Sequence, residues 1–579
     1  MAYKVPNAFK GFELRYQVLM MNFKMLSVGF FSVGALFMLI FSALIYWANP
    51  AIVGYIFSHA AGSAQSFSPA GLAWSGKMIT RVLCRYWHLG LIALPVWLLL
   101  PLMLHWWRAA AVKETSDKHL RGTQLCTPED LNKELKDQKL TTADDIMIGH
   151  CHWPSDYTTQ HILITGRAGS GKTTLLNEMV DRLRAGSKVI IHDMKGDYLP
   201  TFYDPDRDFI INPMDARTAA WTVLREIETV ADCESLSHSL IQPKEHDFWS
   251  SAARDIFFSL CFYSVMSGKK TNKEFWDLLA KTEGELLGIM SQAVRDGMTE
   301  CRKALAYLQG DEKGSKVAAD TVATMRQFTN AFLYLHDTDG DFRLRDWIAN
   351  DKPGFLFIVN YAGLSATLRP VLSLAVDLTC RYVLSLPESY ERRIYFLLDE
   401  FPQLQKLPSL LNLLAAGRSK GASVILACQD IGQITALYGK EQMGSLTNNC
   451  NTSVCLQLGD PDSQEYMSKL FGERELLETD ESYSMGSEDM RDGLSLSRKR
   501  RKERLILPSE IATLPKLSAY IKMLHHDIVL DKLTRKDRPV VAEALVEKLT
   551  YRITGRQDEI IAVAEAEAAA AEPEKPIEL

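Results

Sequence analysis

The chain has 579 residues, 47% hydrophobic and 23% charged, a globular composition long enough for about three domains, which excludes disorder throughout. Its formal net charge of −6 excludes a protein that holds nucleic acid by a global basic field, so any such contact has to come from local patches. Ten cysteines without a C-x-x-C pair suit buried small hydrophobes in a reducing compartment better than a disulfide framework or a zinc site.

The first element is Leu26 to Ala48, "LSVGFFSVGALFMLIFSALIYWA", which carries no charge. As a helix it would reach about 34 Å, against about 30 Å of bilayer hydrocarbon. A cleaved leader needs an apolar run of only about 7–15 residues before a small-residue site, so the segment reads as a transmembrane helix. The second, Tyr86 to Trp107, contains "LGLIALPVWLLLPLML" and ends in Trp106 and Trp107, side chains that favour the headgroup level. Pro95 and Pro101 argue against a soluble core helix and are tolerated in a membrane one. Lys4, Lys10, Arg15 and Lys24 precede the spans and Arg108, Lys113, Lys118 and Arg121 follow them. The positive-inside rule therefore places both termini in the cytoplasm, although Lys77, Arg81 and Arg85 in the connection weaken the asymmetry. Residues 1–121 thus read as a membrane anchor with two spans.

Gly149-His150-Cys151-His152 is too tightly spaced for a metal site and lacks a second ligand pair, so turn and core roles are expected. "HILITG" then reads as a strand, and "KTTLLNEMVDRLRAG" as an amphipathic helix closed by Gly186. Between them lies "GRAGSGKT": Gly166, Arg167, Ala168, Gly169, Ser170, Gly171, Lys172 and Thr173, with Thr174 next. This phosphate loop needs glycines so that backbone N–H groups can curl around a phosphate; Lys172 reaches the β and γ oxygens and the Thr173 hydroxyl takes Mg²⁺. ATP and Mg²⁺ are the expected cofactors.

"KVIIHD" and "DFIINP" read as further strands. From about Glu226 to Asp337 the patterns are helical throughout, which marks residues 226–337 as an inserted all-helical domain. Strands resume with "GFLFIVNYA", "IYFLLDE", "ASVILACQ" and "NTSVCLQLG". Strand–helix alternation predicts an α/β fold with a parallel sheet covered on both faces, built from residues 122–225 and 338–555.

"IYFLLDE" delivers two carboxylates to a strand end: Asp399 for the magnesium water shell and Glu400 to polarise the attacking water. In "PSLLNLLAAGRSKGASVILACQD", Arg418 ends a helix and Gln429 ends the next strand, the positions of a trans-acting arginine and a γ-phosphate sensor in ring ATPases. Arg418 also fits a plain helix C-cap beside Gly421. "RKRRKER", Arg498 to Arg504, reads as a mobile charged loop or a phosphate contact, and residues 556–579, "EAEAAAAEPEKPIEL" at the end, as a solvated acidic tail.

From the first span to about residue 525 the chain resembles the TraD-type conjugative coupling proteins, membrane-anchored hexameric ATPases of type IV secretion. The likeness rests on "GRAGSGKT", "YDPDRDFIINPMDARTAAW", "FWSSAARDIFF", "FRLRDWI", "LLDEFPQLQKLPSL", "GRSKG" with "CQDIGQITALYG", and "RDGLSLS". It implies a RecA-like P-loop NTPase domain, a helical insert facing the relaxosome, and two transmembrane helices. It also implies a homo-hexamer and several partners: relaxase and relaxosome accessory proteins, single- and double-stranded DNA, channel components and the phospholipid bilayer. By the same resemblance Asp193 and Lys195 in "HDMKGD" occupy a second acidic-strand motif. The expected activity is ATP hydrolysis that pumps relaxase-bound single-stranded DNA; the alternative is a receptor that gates protein effectors without moving DNA. An ABC-type transporter is disfavoured by the absence of an LSGGQ-like signature.

Overall fold

A computed structural model of the chain describes residues 12–51, 69–106, 118–184, 186–242, 247–309, 312–335, 337–360, 362–484 and 493–548. The acidic tail and Trp107 lie outside the described residues. The chain divides into two units, residues 1–120 with 476–501, and residues 121–475 with 502–579.

The first unit contains a helix over Phe12–Ala48 and a second that begins at Pro69–Ala93. The second bends at Tyr86 (φ −112°, ψ 17°) and tightens into a 3₁₀ stretch at Leu94–Leu98. Pro95 sits in that stretch, where its missing N–H cannot hold an α-helical ladder. Leu26–Ala48 and Thr80–Trp106 are each long and apolar enough to cross a membrane, with mean hydropathy 2.4 and 1.9. The second segment thus starts upstream of Tyr86, since Arg81 and Arg85 fall inside it. Phe41, Ile45 and Ala93 are buried where the helices meet, while Phe31, Leu39, Trp47 and Leu102 are 73%, 69%, 84% and 69% exposed. Segments this apolar and this little covered by protein have lipid as their compatible solvent, which argues against the soluble core-helix alternative.

In chain order the strands are β1 Lys118–Gly122, β2 Leu125–Cys126, β3 Ile146–Ile148, β4 Cys151–Trp153, β5 Ile162–Thr165, β6 Lys188–Asp193, β7 Phe209–Ile211, β8 Gly354–Val359, β9 Ile394–Leu398, β10 Ala422–Cys428, β11 Thr452–Cys455, β12 Glu473–Ser484, β13 Gly493–Arg504, β14 Ser518–Met523 and β15 Ile528–Lys532. Ten of them form one sheet in the order β2-β15-β14-β11-β5-β10-β9-β6-β8-β7. From β11 to β7 every pair is parallel; β14 and β15 extend it antiparallel.

The parallel strands are buried on both faces, as their unbroken apolar runs require. Alternate residues feed two cores: Leu163, Phe396, Leu398 and Leu426 on one side, and Ile162, Ile164, Leu397 and Ile425 on the other. The second core receives Leu175, Leu176 and Met179 from the helix Lys172–Leu183.

Between β7 and β8 the described residues from Val230 to Leu335 are helical, with reciprocal capping boxes at Thr229, Thr271 and Thr282 fixing three helix starts. Phe257, Phe275 and Phe332 meet edge to face with centroids 5.7, 6.2 and 5.5 Å apart. Their buried cluster is continuous with the first face of the sheet.

The basic run Arg498 to Arg504 is strand, not a mobile loop: it lies within β13, beside β12 in a three-stranded sheet ordered β1-β12-β13. Arg474 pairs with Glu503 at 2.7 Å and Arg504 with Glu465 at 2.5 Å. Charges at successive positions erase the period-two signal by which a strand is read. His150 is likewise structural, pairing with Asp531 at 2.8 Å in the β3–β4 hairpin, and Cys151 is buried.

Candidate active site

The site lies where β5, β10 and β9, neighbours in the sheet, end together. The chain leaves β5 at Gly166, whose N–H donates to Cys428 O at 3.2 Å. A Cβ there would stand 2.7 Å from Ser170 Oγ and 2.9 Å from Leu456 Cβ; one at Gly171 would stand 2.8 Å from Leu517 Cδ2. Gly171 also has φ +117°, a backbone region that side chains disfavour. It caps the helix Lys172–Leu183 without any side-chain cap, which leaves first-turn N–H groups available to an anion.

Lys172, first in that helix, hydrogen-bonds Glu400 and lies 3.3 Å from Asp399 Oδ1. Burial disfavours its ammonium, yet Asp399 and Glu400 outweigh that and raise its pKa. Both acids follow β9 and are 5% and 4% exposed. Glu400 is held left-handed at φ 51°, ψ 45°, a strain on the order of 1–3 kcal/mol that the surrounding contacts must sustain. Among them, Gln429 N–H donates to Glu400 Oε1 at 3.1 Å, tying the end of β10 to the end of β9.

A cavity of about 380 Å³ opens over these groups, lined by Arg167, Ala168, Gly169, Gly171, Lys172, Thr173, Thr174, Lys195, Glu400, Gln429, Lys516, Leu517 and Arg535. Ser170 Oγ and Asp399 Oδ1 are buried without a hydrogen-bond partner; Lys172 is within ion-pair reach of the latter but not aligned for a hydrogen bond. Buried polar atoms are rarely left so. Unsatisfied oxygens beside a glycine-rich anion cradle and a lysine fit a phosphate chain with a hydrated divalent cation.

Asp193 does not line the cavity. Its carboxylate accepts N–H bonds from Gly196, Asp197, Tyr198 and Leu199 at 2.8–3.2 Å, and burial pushes its pKa up to about 6. It organises the loop that brings Lys195 to the cavity. Arg418 is exposed in the 3₁₀ turn Gly417–Lys420 before β10 and is not among the lining residues. Gly421 closes that turn at φ +81°, where a Cβ would lie 2.2 Å from Arg392 O. Gly421→Ala is therefore expected to destabilise the protein by about 1–3 kcal/mol, read as a lowered thermal midpoint, and to weaken any activity that depends on the Arg418 turn.

Lys516, Leu517 and Arg535 carry no motif and were not legible as site residues. Lys516 and Leu517 precede β14, and Arg535 follows β15 on a segment that crosses the phosphate-loop helix. Lys536–Glu178 and Arg538–Asp181 ion pairs hold it there, with Val541 N–H donating to Pro200 O at 2.7 Å. Beneath it, a second cavity of about 360 Å³ shares Thr173, Thr174 and Arg535 with the first.

A family model described as the DNA-binding domain of type IV secretion-system coupling proteins matches residues 145–532. The coupling protein TraD of Escherichia coli strain K12 is 29% identical over 492 residues, 83% of this chain and 67% of TraD. Among solved structures, the plasmid coupling protein TrwB in complex with the non-hydrolysable ATP analogue ADPNP matches at TM-score 0.64 and 28% identity, covering 74% of this chain and 98% of that one. TrwB in complex with ADP and Mg²⁺ matches at TM-score 0.64 and 26% identity over 75% and 98%.

Proposed function

The chain belongs to the type IV secretion-system coupling proteins, and from that premise we propose that it is the inner-membrane motor that takes relaxase-bound single-stranded DNA and drives it into the secretion channel. It is a conjugative coupling ATPase with a RecA-like fold. The observation that carries the motor reading is the convergence of Lys172, Glu400 and Gln429 on one cavity, with Asp399 3.3 Å from Lys172 and the exposed Arg418 outside it. Arg167 and Arg535 line that cavity from the same chain; Arg418, exposed and outside it, is assigned in this reading to the site of a neighbouring copy.

In this reading ATP and Mg²⁺ occupy the cavity, in keeping with the complexes of TrwB. When bound, the cation neutralises charge on the β- and γ-phosphates; Thr173 and Asp399 would hold its shell, the latter through water. Lys172 leaves its carboxylates for the phosphate oxygens, which frees Glu400 to take the proton of an attacking water. Gln429, bonded to Glu400 through its backbone, senses the γ-phosphate. Arg418 of an adjacent protomer in a homo-hexamer stabilises the transition state.

The anchor is residues 1–121, with two spans and both termini cytoplasmic. Residues 122–225 and 338–555 form the nucleotide domain. The helical insert 226–337 faces the relaxosome, its accessory proteins and the double-stranded DNA beside them, while channel components meet the ring at the bilayer. The test is ATP turnover by the full chain in detergent with Mg²⁺. Turnover rises with single-stranded DNA and stops on chelation; turnover indifferent to DNA contradicts the pump.

A further inference from the structure

The loop from Asp193 to Leu199 reaches the site by a second route. Tyr198 is fully buried, and its phenol donates to Asp399 Oδ2 at 3.1 Å. The other oxygen, Oδ1, has no hydrogen-bond partner. The backbone of Asp399 is pinned as well: its N–H donates to His192 O at 3.3 Å, and its carbonyl lies 2.9 Å from His192 Nδ1. What remains free is rotation of the carboxylate, a broad two-fold torsion that backbone contacts do not set.

Tyr198 is itself held on two sides. Its N–H donates to Asp193 Oδ2 at 2.9 Å, and Asp193 collects the N–H groups of Gly196, Asp197 and Leu199 around it. Asp193 thus fixes the turn, the turn fixes the phenol, and the phenol occupies one carboxylate oxygen. Without that bond, the carboxylate could rotate to offer both oxygens to Lys172, 3.3 Å away, and compete with the phosphates for the lysine.

We propose that Tyr198 is a positioning residue that locks the Asp399 carboxylate so that Oδ1 alone faces the divalent cation's water shell. The inference rests on the assignment of Asp399 to the cation given above. Outer contacts of this kind orient the acid that faces a metal, and their loss typically costs about 10- to 100-fold in metal affinity.

The variant is Tyr198→Phe, which keeps the ring and deletes the hydroxyl. Binding of a fluorescent ADP analogue to the full chain in detergent is measured at rising Mg²⁺ and again in chelator, together with the melting temperature. The expected result is a rise of about 10- to 100-fold in the Mg²⁺ concentration that half-saturates the metal-dependent part of binding, with metal-free affinity at the wild-type value and a folded protein whose melting temperature falls only by what one unpaired buried oxygen costs. Adding Tyr198→Phe to Asp399→Asn produces no further shift, because the phenol acts through that carboxylate. An unshifted Mg²⁺ midpoint overturns the inference alone. So does an equal loss with and without Mg²⁺, a collapse of folding, or a full additional shift in the double variant. Absence of any Mg²⁺ effect in the wild type instead overturns the assignment of Asp399 on which the inference rests.

Discussion

Lys172→Ala is expected to lower ATP turnover by about a thousandfold or more and to abolish DNA transfer. Two losses combine in that variant. The transition state loses a cation aimed at the developing phosphate charge, an effect on the order of 10²–10³ by itself. The second loss appears only from the structure: Asp399 and Glu400, 5% and 4% exposed, lose the ammonium between them. Neighbouring buried carboxylates without a counter-charge repel each other, so the placement of both acids is disturbed too. Leaving half of a buried pair behind also costs on the order of 3–5 kcal/mol of stability. Phosphate release and transfer frequency should therefore be measured at a temperature where the variant is shown to be folded. Wild-type transfer by that variant would refute the motor.

Glu400→Gln separates binding from chemistry. The amide keeps the shape of the side chain and can tolerate the same left-handed backbone at φ 51°, but it cannot take a proton from water. Turnover falls by about 10²–10⁴, the usual contribution of a positioned base. Nucleotide affinity, in contrast, stays equal to wild type or improves, because the carboxylate that holds Lys172 no longer competes with phosphate for it. Equilibrium binding and single-turnover hydrolysis on the same sample check both halves. Unchanged turnover with weaker binding would make Glu400 a structural partner of Lys172 and Gln429.

The parts of the site legible in the sequence are those where the chemistry forces a contiguous string. Gly166 and Gly171 admit no Cβ, Lys172 must open the helix, and Asp399 and Glu400 must follow a buried strand, so spacing alone reveals them. Lys516 and Arg535 come from opposite ends of the β14–β15 pair; they meet the cavity through sheet topology, which leaves no local pattern. The same holds for Tyr198, an unremarkable aromatic in sequence whose contact to Asp399 spans 201 residues. Helical periodicity located the insert, because it records which face is apolar. It does not record what covers that face, and so the continuity of Phe257, Phe275 and Phe332 with the core under β9 emerged only in three dimensions.

The central claim is that each fuel site is shared between neighbours, with Lys172 from one copy and Arg418 from the next. It is tested most directly by co-assembling Lys172→Ala with Arg418→Ala chains at equal ratio and measuring ATP turnover. Each variant alone is inactive, since every interface lacks one group. In random mixed rings about a quarter of the interfaces carry both intact residues, and turnover is predicted to reappear in proportion. Rings shown to contain both chains, yet as inactive as either parent, would contradict the account.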